Sequence, residues 1–193
     1  MHTINTLRQF IEKNMANIHL NDKIFKPHIP SEDILAQVER VSQEIAKDYK
    51  DKNPIFIVVL NGAFMFASDL MKAYPYNCEV SFVKLASYQG TESLEKVKEL
   101  IGLNHSIEGR DIVIIEDIVD TGITMSDLLS DLKERKPASI KIATLFFKPK
   151  AFQKDYKVHY IGFEIANEFI VGYGLDYDQL GRNLKDIYII THS

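Results

Sequence analysis

Apolar strands alternating with amphipathic helical stretches predict an α/β fold, with a mostly parallel sheet flanked by helices. Three observations carry this reading. "IFIVVL", residues 55–60, is a continuous apolar run followed by Asn61-Gly62 and the helical stretch "AFMFASDLMKAY", a strand, turn and helix in order. "DIVII", residues 111–115, is followed across a polar turn by "MSDLLSDLKER", which repeats that unit. "SIKIATLFF" (139–147) and "YIGFEI" (160–165) are again apolar on both faces, as strands covered by helices on both sides are.

Taken in chain order, residues 1–30 are mixed, with Pro27 and Pro30 marking their end, and are expected to pack on the domain as an N-terminal segment. Ser31 is placed to cap a helix whose first turn holds Glu32 and Asp33; Ile34, Val38, Val41 and Ile45 then form one apolar face. A strand is expected over 55–60, a helix over 63–74 and a second strand over 79–85. Residues 86–109 are polar and contain Gly90 and Gly102, a connection of the length used for active-site lids. Strands at 111–115, 139–147, 160–165 and 187–190 complete a six-stranded reading, with residues 1–193 as a single domain.

Composition narrows the function. A chain of 193 residues with 46% hydrophobic and 26% charged residues is of ordinary globular make-up. Its 23 basic and 27 acidic residues give a net charge of -4, so there is no overall attraction to nucleic acid or anionic membrane. The apolar runs are too short to span a bilayer and the N-terminus lacks the apolar core of a signal peptide, so a cytoplasmic location is expected. Cys78 is the single cysteine, and the six histidines show no paired ligand spacing, which argues against a disulfide framework and a zinc cluster.

The chemistry concentrates in "DIVIIEDIVDTGITMSDLL". A strand ending in Glu116-Asp117 and turning through Asp120-Thr121-Gly122-Ile123-Thr124 into a helix offers unpaired N–H groups and a helix dipole to a phosphate. Gly122 permits close backbone approach, and the Thr121 and Thr124 hydroxyls add donors. Ionised carboxylates accept hydrogen bonds only, so Glu116 and Asp117 call for sugar hydroxyls or a hydrated magnesium ion. A ligand with a phosphate and vicinal hydroxyls, such as ribose 5-phosphate, satisfies both halves.

"VIIEDIVDTGIT" resembles the phosphoribosyl diphosphate motif of the type I phosphoribosyltransferases, and the Ile-Val between its acids is most similar to the hypoxanthine-guanine branch. The resemblance runs from about Pro54 to the C-terminus. It implies the type I phosphoribosyltransferase fold, with a small hood from the N- and C-terminal segments and a mobile lid loop over 86–109. It implies magnesium as cofactor, a 6-oxopurine base and phosphoribosyl diphosphate as substrates, and a homodimer or homotetramer, with no nucleic acid or membrane partner.

Residue by residue, the resemblance gives Glu116 and Asp117 the ribose hydroxyls, directly or through magnesium, and gives 120–124 the 5-phosphate. Asp120 is also the counterpart of the general base near N7 of the purine. "VLNGAFMF" resembles the pyrophosphate loop, where Leu60, Asn61 and Gly62 offer backbone N–H groups and the Leu60-Asn61 peptide is expected to be cis. Many members carry lysine at Asn61, so this chain has one positive charge fewer there. "KLASYQGTES" resembles the lid, with Ser87 and Tyr88 at its tip; "LEKVKELIGL" beyond it lacks the small residues often seen there. Lys148 in "LFFKPKAF" matches the lysine that donates to the purine 6-oxo group, which disfavours adenine. In "EFIVGYGLDY", Phe169 matches the ring stacked on the base, Ile170 a backbone contact to the base edge, and Asp176 a second magnesium contact beside the purine; Arg182 matches the arginine that grips pyrophosphate.

The expected reaction is transfer of the 5-phosphoribosyl group to hypoxanthine, with guanine next, giving IMP or GMP in purine salvage. A non-catalytic phosphoribosyl diphosphate sensor that binds nucleic acid is the second reading. The acidic balance, the absence of an appended helix-turn-helix and the presence of Lys148 and Phe169 weigh against it. No G-x-G-x-x-G follows a strand, which sets a dinucleotide-binding module aside.

Overall fold

The computed structural model describes residues 16–84 and 106–191. Ser87 and Tyr88, and with them most of the expected lid, lie outside the described residues. Five strands, β3 (Ile55–Leu60), β4 (Glu79–Lys84), β5 (Asp111–Val119), β6 (Ser139–Phe147) and β7 (Tyr160–Glu164), form an all-parallel sheet in the order β4-β3-β5-β6-β7. A second, antiparallel sheet has the order β1-β2-β9-β8, built from β1 (Ile18–Leu20), β2 (Lys23–Ile29), β8 (Ile170–Val171) and β9 (Ile187–Ile190).

The period-two alternation of the parallel strands sorts their side chains onto two faces. Phe56, Val58, Val113, Ile115, Ala143 and Leu145 point to one face, where helices α1 (Ser31–Tyr49) and α2 (Phe64–Ala73) bring Ile34, Val38, Val41, Ile45, Phe66 and Leu70. Ile55, Ile57, Ile112, Ile114 and Ile142 point to the other, against Met125, Leu128, Leu129 and Leu132 of α3 (Ile123–Glu134). Burying each such side chain stabilises by about 1.5–3 kcal/mol. The continuous apolar runs thus reflect burial on both faces.

Four differences from the sequence reading have physical causes. Residues 18–29 form a hairpin; Pro27 is accommodated because the β2–β9 register shifts between Pro27 and Ile29, a bulge where a missing N–H is tolerated. The strand at 187–190 joins the antiparallel sheet, so the parallel sheet has five strands. β5 continues through the acids to Val119, because β6 keeps pairing it as far as Phe147. Glu116 and Asp117 are therefore strand residues, and α3 starts at Ile123, two residues earlier than the sequence suggested.

Ser31, expected as the cap, is instead the first residue of α1, and the N-cap is Pro30, which has no side-chain acceptor to offer. The Ser31 N–H donates to Asp186 Oδ1 at 2.7 Å. A buried carboxylate next to β9 thus complements the positive end of α1 and ties the antiparallel sheet to the main domain. Asp186→Ala is expected to lower unfolding free energy by about 1–2 kcal/mol in urea titrations, with Asp186→Asn recovering most of the loss because it keeps an acceptor.

Candidate active site

The strand order reverses direction at β3: the chain moves from β3 to β4 on one side and then to β5 on the other. Ligands of open α/β sheets sit at the carboxyl ends of the strands at such a point. Here the crevice has a definite start. β3 and β5 pair only from Ile55↔Ile112 to Val58↔Ile115, after which β3 stays with β4 and β5 with β6. Asn61-Gly62 and Glu116-Asp117 follow directly on either side of the split.

The Leu60-Asn61 peptide bond is cis. The next residue is glycine for a steric reason: a Cβ on Gly62 would lie 1.6 Å from Asp117 Oδ2. Gly174 approaches from the opposite side, where a Cβ would lie 2.0 Å from the Gly62 carbonyl oxygen. Arg182 belongs to the same loop as Gly174. It donates to the Gly174 carbonyl at 2.8 Å and pairs with Asp176 at 2.6 Å, while the second Asp176 oxygen accepts the Gln179 N–H at 2.8 Å. The structure therefore brings Asn61, Gly62, Asp117, Asp176 and Arg182 to one end of the crevice.

The other end is a cavity of about 120 Å³, lined by Glu116, Ile118 and the run from Val119 to Met125. Gly122 is the N-cap of α3 with φ 80° and has no side chain to cap it; the Ile123 N–H makes only a long contact of 3.5 Å to Thr121 Oγ1, so the start of the helix can still offer N–H groups to a ligand. The position is closed on its outer side. A Cβ on Gly122 would meet Phe152 and the Tyr156 hydroxyl at 2.6 Å, and that hydroxyl donates to the Gly122 carbonyl at 3.0 Å. Burial, then the Glu116 charge, pushes the Tyr156 phenol up to about 12, which keeps it a donor at neutral pH. Sequence reasoning missed Phe152 and Tyr156, since two aromatics in a loop carry no signal of what they pack on.

Lys148 follows β6, and its N–H donates to the Val119 carbonyl at 3.0 Å, which sets it beside the end of β5. Its ammonium, 8% exposed as a residue, pairs with Asp120 at 2.9 Å. Phe169 is 45% exposed, and Tyr177 contacts its ring edge-on at 5.9 Å. Ile170 is buried on β8, the edge strand of the antiparallel sheet, so the outer side of its backbone is not paired within that sheet.

Desolvation first, and the Asp117 charge second, raise the Glu116 carboxyl well above its ordinary range; desolvation likewise raises Asp117, against which the Arg182 charge acts. Two neighbouring acids held this way disfavour full ionisation until a cation or a set of donors joins them. Among the described residues no three His, Cys, Asp or Glu side chains gather as a metal cage.

A carboxyl raised in the folded state holds its proton to higher pH than in the unfolded chain, so Glu116 lowers stability progressively as pH climbs above about 4.3. Glu116→Gln is expected to raise Tm at pH 8 by about 2–4 °C, with the gain disappearing near pH 4, as followed by calorimetry.

A family model for the phosphoribosyl transferase domain matches residues 30–178. The hypoxanthine-guanine phosphoribosyltransferase of Streptococcus thermophilus is 42% identical over 172 residues, covering 89% of this chain and 96% of its own. Among solved structures, a hypoxanthine phosphoribosyltransferase from Staphylococcus aureus superposes with a TM-score of 0.80 at 36% identity, covering 92% of this chain and 98% of the other. A hypoxanthine-guanine phosphoribosyltransferase from Bacillus anthracis gives a TM-score of 0.80 at 30% identity, covering 88% and 99%. Similarity of that extent, on a sheet that splits where the Glu116-Asp117 segment begins, makes this chain a member of the phosphoribosyltransferase family, in its hypoxanthine-guanine branch.

Proposed function

We propose that the chain transfers the 5-phosphoribosyl group of phosphoribosyl diphosphate to N9 of a 6-oxopurine, hypoxanthine first and guanine next, releasing pyrophosphate. The observation that carries this is the Lys148–Asp120 pair, set at the rim of the cavity of residues 116–125. It puts a donor for a purine 6-oxo group and an acceptor for a purine N–H within one hydrogen bond of each other, beside a place for a phosphate.

The 5-phosphate occupies the Asp120-to-Thr124 turn, held by the first N–H groups of α3 and by the Thr121 and Thr124 hydroxyls. Glu116 and Asp117 accept from the ribose hydroxyls. At the far end of the crevice, the Leu60-Asn61-Gly62 backbone and Arg182 take the diphosphate. Because position 61 is asparagine, the arginine is the principal side-chain charge we assign to that end. The purine lies on the exposed face of Phe169, meets the Ile170 backbone at its edge, and is covered by the antiparallel sheet as a hood. Lys148 has three N–H donors, so it can keep Asp120 and still donate to the 6-oxo oxygen. Asp120 accepts the proton lost from the imidazole ring while the C1–N9 bond forms and the bond from C1 to the diphosphate oxygen breaks.

Magnesium fits this donor set. Glu116 and Asp117 are hard oxygen ligands whose mutual repulsion a cation relieves, and Asp176 retains lone pairs after accepting from Arg182 and Gln179. When bound, the ion neutralises charge on the leaving diphosphate. Such an ion is normally completed by substrate oxygens and water, which suits a site without a cage of three protein ligands.

The test is pyrophosphate release from phosphoribosyl diphosphate and magnesium, with hypoxanthine, guanine, xanthine and adenine in parallel. Release with 6-oxopurines and none with adenine is expected; tight diphosphate binding without release for any base would replace the reading with a sensor. Asp120→Asn should lower kcat by about 10²–10⁴ while the affinity for phosphoribosyl diphosphate, measured by calorimetry, changes little. Lys148→Ala should raise KM for hypoxanthine and reduce its advantage over adenine in the same assay.

A further inference from the structure

The loop from Gly172 to Leu184 is an internally bonded unit. The Tyr173 N–H donates to the Leu184 carbonyl at 2.8 Å, the Gly174 N–H to the Arg182 carbonyl at 3.0 Å, and the Arg182 guanidinium to the Gly174 carbonyl at 2.8 Å. The Asn61-Gly62 turn is a second such unit with α2, since the Phe64 N–H donates to the Asn61 carbonyl at 3.3 Å as the helix begins. The two units face each other where Gly174 abuts Gly62 without room for a Cβ.

A single side chain reaches from the middle of one into the other. Tyr173, between Gly172 and Gly174, holds a left-handed backbone with φ 46°, which a residue with a side chain rarely adopts. Its ring is only 3% exposed, and its hydroxyl donates to Asp69 Oδ2 at 2.6 Å, one and a half turns into α2. Lys72 donates to the other Asp69 oxygen at 2.8 Å, which steadies the carboxylate. The phenol and carboxylate are spent on each other and on Lys72, which leaves them a structural part between the two units. Their joint effect is to fix the distance between Arg182 and the backbone of Asn61-Gly62.

We propose that Tyr173 and Asp69 are a positioning pair that sets the spacing of the two halves of the diphosphate subsite, on the reading of this chain as a phosphoribosyltransferase. A diphosphate gripped from two sides is sensitive to that spacing, whereas the purine, held by Lys148 and Phe169, is not. The pair acts on one substrate and spares the other.

Tyr173→Phe and Asp69→Ala, made in the full chain with magnesium present, are expected to raise KM for phosphoribosyl diphosphate by about tenfold while KM for hypoxanthine stays within about twofold. Asp69→Asn, which keeps an acceptor for the phenol, should restore behaviour close to the original. Calorimetric titration with phosphoribosyl diphosphate should report the same weakening for the first two variants. Unchanged diphosphate affinity in both, or a parallel loss for both substrates together with a lowered Tm, would overturn the proposal. If the unmutated chain turned over no base, yet Tyr173→Phe still weakened diphosphate binding, the transferase reading would fall and the positioning pair would stand.

Discussion

Four rungs of parallel pairing, from Ile55↔Ile112 to Val58↔Ile115, are the constraint on which the rest of this molecule depends. They hold β3 and β5 together at one end and release them at the other. Backbone that leaves a sheet must find new partners, and here the freed ends of both strands lie where polar ligands can supply them. The release point also explains why two acids are tolerated in a strand that is otherwise apolar. Glu116 keeps its ladder to Thr144 on the β6 side while its other side borders open crevice.

Steric exclusion then sharpens what pairing began. Gly62 is confined between the Asp117 carboxylate and Gly174, and Gly122 is confined by the Phe152-Tyr156 pair. At each of these positions a methyl group would push a functional element out of register. Electrostatics supply the complementary constraint. Glu116 and Asp117 are held close in a partly desolvated setting, a geometry unfavourable for the protein alone and relieved by any cation or set of donors that joins them.

Much of this was legible in the sequence because burial on both faces writes itself as unbroken apolar runs. "IFIVVL" and "SIKIATLFF" coincide with β3 and β6, and the amphipathic spacing of Ile34, Val38, Val41 and Ile45 with α1. The turn from Asp120 to Thr124 was readable as a glycine-containing link from strand to helix, and Gly122 is indeed the N-cap of α3. What was not readable depends on contacts far apart along the chain. The extension of β5 through two acids is imposed by β6; the place of 187–190 in a second sheet is imposed by β2; and the cap of α1 comes from Asp186, 155 positions away. Pro27 concealed a strand because the bulge that accommodates it is a property of the pairing and leaves no local signature.

The pairing of β2 with β9, together with β8 at the edge, has a consequence for the order in which the molecule comes into being on the ribosome. The Asp120-to-Thr124 turn and α3 have been made once residues up to about 135 are translated, and the aromatics that close over Gly122, Phe152 and Tyr156, follow just after β6. The antiparallel sheet beside Phe169 must wait for Ile187–Ile190 to emerge and close onto β2, which is translated before any strand of the parallel sheet. On the proposed reading, a nascent chain acquires the turn for the sugar phosphate before the surface for the base. The aromatic surface that the base would occupy is thus assembled only after the whole parallel sheet has been translated, on a β2 strand that has been waiting for β9.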